Sequence, residues 1–303
     1  MTTQLRWHVG LGSAWIYAAT REIATPTEAE SVEGEGAESR FAAEVAALAA
    51  VLKSEGIEPR PFLAHLAALA PTCDVRRDLA HKTLTKLLGR APADRLTPLV
   101  VGPMGACERE YVAAHPGILE ELRLRTGPLR ELWDARGPGL LAGVGRRTDK
   151  SLIVEFATVA LVPPLVGGGG AAFATTNVVE FEAVLANPID ALPETVRLAW
   201  LASQLAADQI EFLTPLTSGS AQDVVAAAML PAVFEAAADL ELVRDDPTLL
   251  EEAAAAWSIA ALAEPGRVDV LRTWWNLARA GGRFAALPWN ARVAALDRML
   301  VEV

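Results

Sequence analysis

Three glutamates are the residues whose type and spacing best suit chemistry in this sequence. Glu180 and Glu182 lie two positions apart in residues 177–185, a run rich in β-branched residues. Side chains alternate along a strand, so both carboxylates point to one face and the intervening apolar residues point to the other. Glu155 joins that face if the pairing register allows. Two carboxylates across a cleft are what general acid/base hydrolysis requires, so we predict these three as candidate catalytic residues.

The same glutamates also fit a purely structural interpretation. An antiparallel hairpin with one face in water produces the same alternation of apolar and charged residues. Glu155, Glu180 and Glu182 would then be solvated surface groups. The pairing register of the strands decides between the two interpretations, and the sequence leaves that register open.

A run of four glycines is the only glycine-rich loop that follows a predicted strand: Gly167, Gly168, Gly169 and Gly170. A phosphate-binding loop normally leads directly into a helix, whose amides and dipole hold the anion. Here residues 171–176 lead into another predicted strand, without a Lys-Ser or Lys-Thr pair. We therefore predict a tight hairpin connection, with a flap that faces a substrate as the alternative.

Three polar residues near these strands complete the candidate site. Arg146 and Arg147 precede the first predicted strand, and Asn177 stands at the start of the second. Arginine can hold a carboxylate or phosphate through two parallel hydrogen bonds. If the chain has a small-molecule site, we expect these residues and the four glycines to bind the substrate. Ordinary surface ion pairs explain the two arginines equally well.

The sequence predicts no metal and no cofactor. No two of its four histidines stand three or four residues apart, and the motifs HExxH, CxxC and GxSxG do not occur. The two cysteines, Cys73 and Cys107, are typical of a reducing compartment, so we expect a cytoplasmic protein.

Charge and hydropathy argue against nucleic acid and membrane partners. The formal net charge is −11 and no basic block is present, whereas nucleic-acid binding usually requires clustered Lys and Arg. The longest apolar run, residues 153–166, is interrupted by a glutamate and two prolines and is too short to span a bilayer. The N-terminus lacks the apolar core of a signal peptide.

Composition and periodicity predict a mainly α protein, with helical layers around a small β-hairpin or short sheet near residues 151–186. Alanine-rich stretches favour helices. Two strands alone are rarely stable, so they must pack on helices or recruit the N-terminal segment as a third strand. We divide the chain into an N-terminal helical part, 1–150, the β element, 151–186, and a C-terminal helical part, 187–303, which together can form one integrated domain.

Prolines and glycines set the expected breaks between helices. We predict a connector at residues 96–106 and two or three separate helices over 108–136, interrupted at Gly127-Pro128. The composition of the acidic stretch 25–38 predicts a solvated loop. Adjacent Trp274 and Trp275 point about 100° apart on a helix, so both cannot be central in one narrow core stripe.

Two functions follow as hypotheses. The first is an acidic, soluble intracellular protein-interaction or scaffold protein without catalysis, bound to a protein partner or to further copies of itself. The second is an enzyme or binding protein for a small molecule of unknown identity, with a carboxylate-lined cleft and hydrolase-like acid/base chemistry. Whether the chain is an enzyme is left open by the sequence.

Overall fold

The computed structural model describes residues 3–24, 37–185, 189–206, 208, 216, 221–244, 246 and 248–302. Its secondary structure is mainly α, with twelve helices and a small mixed sheet of four strands, which confirms the predicted fold class. Most of the predicted acidic loop at residues 25–38 lies outside the described residues, as does part of the segment around residue 187.

The sheet contains both strand-forming runs that the sequence predicts. Its strands are β1 (Gln4–Val9), β2 (Phe156–Val162), β3 (Gly170–Phe173) and β4 (Val178–Glu182), in the spatial order β1-β2-β4-β3. The N-terminal segment supplies the additional strand, as expected. The short sheet is observed rather than a simple hairpin, because β3 follows the glycines and pairs antiparallel with β4. The sequence did not indicate β3, since its residues are mostly small.

Twelve helices account for most of the described residues. They are α1 (Leu11–Ala24), α2 (Ala37–Ser54), α3 (Pro59–Leu69), α4 (Arg76–Leu88), α5 (Arg90–Ala114), α6 (Ile118–Arg147), α7 (Glu194–Ser203), α8 (Ala221–Asp239), α9 (Leu249–Ala256), α10 (Arg267–Arg279), α11 (Gly282–Ala285) and α12 (Trp289–Val301).

Two of these helices correct the predicted breaks. Helix α5 runs through the predicted connector at 96–106 and contains Pro98 and Pro103. Helix α6 runs without a break through the predicted interruption at Gly127-Pro128 and continues to Arg147, beyond the predicted range 108–136. The physical reason in α5 is packing, because its buried residues recur every three or four positions, and burial of that stripe outweighs the hydrogen bonds that the prolines remove.

The described chain divides into two compact units. One unit comprises residues 7–126 and 160–165. Within it, α2 and α4 both pack along α5, and α1 packs on α3. Phe41 and Tyr111 contact each other at 5.3 Å between ring centroids and are both buried. The core of this unit is therefore a helical layer centred on α5.

The other unit comprises residues 1–6, 127–159 and 166–303. Helix α7 packs on β3, β4 and α8, while α8 also packs against α10 and α12. The adjacent tryptophans are both buried, at 0% and 7% exposure. Trp274 packs in the core against Trp289 at 5.6 Å, and Trp275 lies beside a pocket described below.

One helix among the described residues, α8, is long and apolar enough to cross a membrane by length and composition. Of its apolar window, 67% is buried within the protein. Such burial is typical of a core helix in a soluble protein.

Two glycines of α6 provide a matched pair for testing the continuity of this helix. A Cβ added at Gly127 meets nothing within 4 Å, whereas a Cβ at Gly137 overlaps the indole of buried Trp133. We expect Gly127→Ala to change the free energy of unfolding by less than about 1 kcal/mol, since the lower entropy cost of alanine in a helix is opposed by its contact with the ring of Pro128. Gly137→Ala should destabilise it by about 1–3 kcal/mol through overpacking. Urea unfolding followed by circular dichroism measures both, and equal shifts would contradict the observed packing.

Candidate functional site

The predicted catalytic glutamates occupy different environments. Glu180 and Glu182 lie in β4, all five residues of which are buried, and their relative exposures are 4% and 0%. Glu155 precedes β2 and is exposed. Both faces of β4 are buried, so Glu180 and Glu182 are not the solvated groups of a water-facing strand. A cleft lined by all three carboxylates is not the arrangement found.

The carboxylate of Glu182 holds the glycine-rich loop. It accepts backbone hydrogen bonds from Val166 at 2.7 Å, Gly168 at 2.6 Å and Gly169 at 2.7 Å. Glycine is required in this loop, since Gly167 and Gly168 have φ angles of 81° and 143°. The amides of Gly168 and Gly169 therefore donate to the protein's own carboxylate. This geometry favours a structural role for the loop and for Glu182.

A buried arginine completes the loop's support. Arg197, at 1% exposure, stacks over the ring of Phe181 at 3.9 Å and donates to the carbonyls of Gly169 and Glu182. It also forms an ion pair with Glu194. Burial raises the pKa of the Glu194 carboxyl by more than the neighbouring guanidinium lowers it. The i,i+3 spacing of Glu194 and Arg197 was available in the sequence but did not reveal that both are buried.

Gly170 is the first residue of β3, and Asn177 is the last residue of the β3–β4 connection. A Cβ at Gly170 would lie 2.6 Å from Leu201 Cδ1 and 2.7 Å from the carbonyl oxygen of Glu180, so only glycine fits there. Asn177 adopts the left-handed conformation with φ 51°, and its carbonyl accepts a hydrogen bond from Thr158 in β2. These two predicted binding residues thus position the strands.

The two arginines predicted to bind substrate, Arg146 and Arg147, have different surroundings. Arg147 forms ion pairs with Glu235 at 3.1 Å and Asp239 at 2.6 Å, both on α8. Arg146 is exposed and lines a separate pocket. Consecutive residues on a helix point about 100° apart, so the adjacent side chains leave α6 in different directions.

One candidate site among the described residues is a pocket of about 290 Å³ formed by α8, α9, α10, Val243, Arg244 and Asp246. We call it the Trp275 pocket. Its wall combines aromatic, aliphatic, basic and acidic side chains, which is the usual composition of a small-molecule site. The lining residues are Pro231, Phe234, Glu235, Ala238, Val243, Arg244, Asp246, Leu249, Leu250, Arg272, Trp275, Asn276 and Arg279.

One face of α10 supplies much of the polar wall. Arg272, Trp275, Asn276 and Arg279 stand at i, i+3, i+4 and i+7, and such residues lie on the same side of a helix. The sequence did not reveal these four residues as candidate site residues. The signal was present as a spacing, but nothing in the sequence indicated that this face borders a concavity.

Glu235 is the acceptor that joins the elements around the pocket. Its Oε1 atom accepts a hydrogen bond from the indole Nε1 of Trp275 at 2.8 Å and pairs with Arg279 at 2.5 Å. Its Oε2 atom pairs with Arg147 at 3.1 Å. Three donors from α6 and α10 therefore fix one carboxylate of α8, and they orient the Trp275 ring.

Arg272 is fixed from the other side of the pocket. Its guanidinium pairs with Glu251 on α9 and with Asp269 on α10, each at 2.8 Å. Burial lowers the pKa of this guanidinium. The hydrogen bonds and charges of the two carboxylates raise the pKa by more than burial lowers it, so the net shift is upward. Arg272 is therefore a permanent positive charge at the pocket wall.

Among the residues that the structure describes, no group of three or more His, Cys, Asp or Glu side chains is arranged to hold a metal ion. No family model matches the chain, and no curated protein or solved structure is significantly similar to it. The geometry of the Trp275 pocket is therefore the feature that bears on function.

The substitution Glu182→Gln tests the structural role of Glu182. The amide offers one acceptor oxygen where the carboxylate offers two, and its NH₂ group faces donors. We expect a loss of about 2–3 kcal/mol in the free energy of unfolding, since hydrogen bonds to charged groups contribute about 1.5–3 kcal/mol.

The matched control is Glu155→Gln, which makes the same change at an exposed site and should alter stability by less than about 0.5 kcal/mol. Chemical denaturation of the three proteins provides the comparison. Unchanged or increased stability of Glu182→Gln would show that the carboxylate does not support the loop, and would return it to the candidates for catalysis.

Proposed function

We propose that this protein binds a small aromatic molecule carrying an anionic group in the Trp275 pocket, and that it acts through binding rather than through a chemical step. The observation that carries this proposal is the convergence of Trp275, Phe234 and three arginines on one concavity of about 290 Å³. That volume is close to the lower end of the range for ligand pockets, which supports a compact ligand.

The apolar part of the wall suits a ring system. Phe234 and Trp275 present aromatic surfaces, and Leu249, Leu250 and Pro231 extend the apolar lining. Trp275 is 7% exposed and its ring is held by the hydrogen bond to Glu235. A wall held in place loses little side-chain entropy when a ligand binds, which favours affinity.

The basic residues support an anionic group on the ligand. Arg279 keeps 60% of its side chain exposed beside the pocket while pairing with Glu235. Arg244 is exposed at the rim and, among the described residues, has no ion-pair partner. Both guanidinium groups have N–H donors to offer a carboxylate, sulfonate or phosphate. Since Glu235 and Asp246 also line the pocket, the basic charge is partly balanced and the apolar wall must supply much of the affinity.

The contacts of Glu235 favour binding over proton transfer. A general base needs a carboxylate oxygen within reach of the substrate proton. Both oxygens of Glu235 already accept from protein donors, namely Trp275, Arg279 and Arg147. This carboxylate is therefore better suited to organising the pocket than to acting on the ligand.

A fluorescent probe of the proposed class, 1-anilinonaphthalene-8-sulfonate, tests the site. We expect a saturable rise in probe fluorescence with the wild-type chain. Ala238→Trp should weaken probe binding at least tenfold, because the half-buried Ala238 lines the pocket and a large side chain there fills it. Fluorescence titration measures both affinities.

Arg283→Gln is the matched control, since it removes an exposed arginine of α11 outside the pocket lining and should leave the affinity unchanged. Circular dichroism must show that each variant is folded, because this probe also binds partly unfolded protein. Equal affinity for wild type and Ala238→Trp would refute the assignment of the pocket.

A protein-interaction function is the second candidate, and an exposed leucine favours it. Leu124 of α6 is 69% exposed, which suits contact with a protein partner or a second copy of the chain. If copies associate through it, sedimentation equilibrium gives a mass above 32.1 kDa that falls to this value in Leu124→Glu. A wild type that stays monomeric up to high micromolar concentration contradicts self-association.

We also propose a cytoplasmic location. Cys73 and Cys107 are both free, and burial raises the pKa of the Cys107 thiol to about 12, which keeps it unreactive. Free thiols suit a reducing compartment, and fractionation of the source cells tests this location.

A further inference from the structure

A second pocket lies at the C-terminal end of α6 and is separate in its lining from the Trp275 pocket. Its volume is about 280 Å³. We call it the Arg146 pocket. The residues that line it belong to the last turns of α6 and to the segment that follows: Leu141, Ala142, Gly145, Arg146, Lys150 and Ile153.

The floor of the Arg146 pocket is aliphatic. Leu141 is 2% exposed and Ile153 is half-buried. Gly145 allows the following segment to approach the helix, since a Cβ there would lie 3.2 Å from Ile153 Cγ1 and 3.5 Å from Lys150 Cα. No aromatic residue lines this pocket, in contrast to the Trp275 pocket.

The rim is basic, and its charges are not neutralised within the described part of the chain. Arg146 and Lys150 are exposed, and neither has an ion pair with a described carboxylate. The neighbouring Asp149 is not among the lining residues, and its carboxylate accepts hydrogen bonds from Ser151 N at 2.9 Å and Ser151 Oγ at 2.8 Å. The two cations therefore border an aliphatic floor and stay available to a ligand.

The helix dipole explains only part of this arrangement. Basic side chains are favourable in the last turn of a helix, where Arg146 and Arg147 stand. Arg147 additionally has two carboxylate partners, whereas Arg146 is directed to the pocket. Lys150 lies beyond the end of α6, where the dipole effect has fallen off. A ligand with negative charge accounts for both cations.

We infer that the Arg146 pocket binds the anionic head of a short aliphatic molecule, such as a medium-chain carboxylate. Arg146 and Lys150 hold the head group, and the chain covers Leu141 and Ile153. A volume of about 280 Å³ lies close to the lower end of the range for ligand pockets, which suits a compact ligand. This inference is independent of the aromatic ligand proposed for the Trp275 pocket.

Isothermal titration calorimetry of the full chain with octanoate tests the inference. We expect saturable one-site binding of octanoate, at least tenfold weaker binding of octan-1-ol, which lacks the charge, and no binding of octylammonium. Inorganic phosphate alone should also bind at least tenfold more weakly, because it lacks the aliphatic body. Tight phosphate binding would show that the site recognises only the charge, and equal binding of octanoate and octanol would show that the cations take no part; either result overturns the inference.

Variants locate the binding site. Arg146→Gln/Lys150→Gln should weaken octanoate binding at least tenfold, and Ala142→Trp should block the pocket, since Ala142 is an exposed lining residue. The matched control is Arg136→Gln, an exposed arginine of the same helix outside the lining, which should bind as wild type does.

Ala238→Trp separates this site from the Trp275 pocket. It should leave octanoate binding intact whether or not the Trp275 pocket binds the aromatic probe. Loss of octanoate binding in folded Ala238→Trp, or wild-type binding by Arg146→Gln/Lys150→Gln, would overturn the assignment.

Discussion

The unit that comprises residues 1–6, 127–159 and 166–303 depends on the ion pairs and the hydrogen bond that the Glu235 carboxylate accepts. This carboxylate receives donors from Arg147 of α6 and from Trp275 and Arg279 of α10, so one side chain of α8 joins three helices. Truncating such a hub leaves several donors without their acceptor, which costs more than the net value of any one hydrogen bond. The orientation of the Trp275 ring, and with it the wall of the pocket, follows from this carboxylate.

The sheet depends on another carboxylate, the buried Glu182. Glu182 orders the glycine-rich loop through three amides, and Arg197 ties that loop to α7 through the Gly169 carbonyl. Buried charges are costly unless they are paired or hydrogen-bonded, and here Arg197 pairs with Glu194 while Glu182 accepts amide hydrogen bonds. The loop that resembled a ligand-binding element in the sequence thus has its amides engaged inside the protein. The candidate ligand sites lie instead where arginines border apolar concavities.

The helical class and the strands at 156–162 and 178–182 were predictable because apolar periodicity and β-branched content are local signals. Two kinds of feature were not predictable. Helix α5 continues through Pro98 and Pro103 because tertiary packing outweighs a local breaker, and β3 forms from small residues because β4 offers it a partner. The candidate site was missed for a related reason. The spacing of Arg272, Trp275 and Arg279 is visible in the sequence, but the concavity beside them exists only once α8 and α9 are placed.

The most direct test of the account is to follow the indole N–H resonances of the eight tryptophans by ¹⁵N–¹H spectroscopy during a titration with 1-anilinonaphthalene-8-sulfonate. Trp275→Phe identifies the resonance of Trp275, whose Nε1 donates to Glu235 beside the pocket. If the probe binds in the Trp275 pocket, the Trp275 resonance shifts saturably. The resonances of buried Trp15 and Trp133, which do not line the pocket, stay in place. A Trp275 resonance that stays in place while the probe binds elsewhere on the chain would contradict the account.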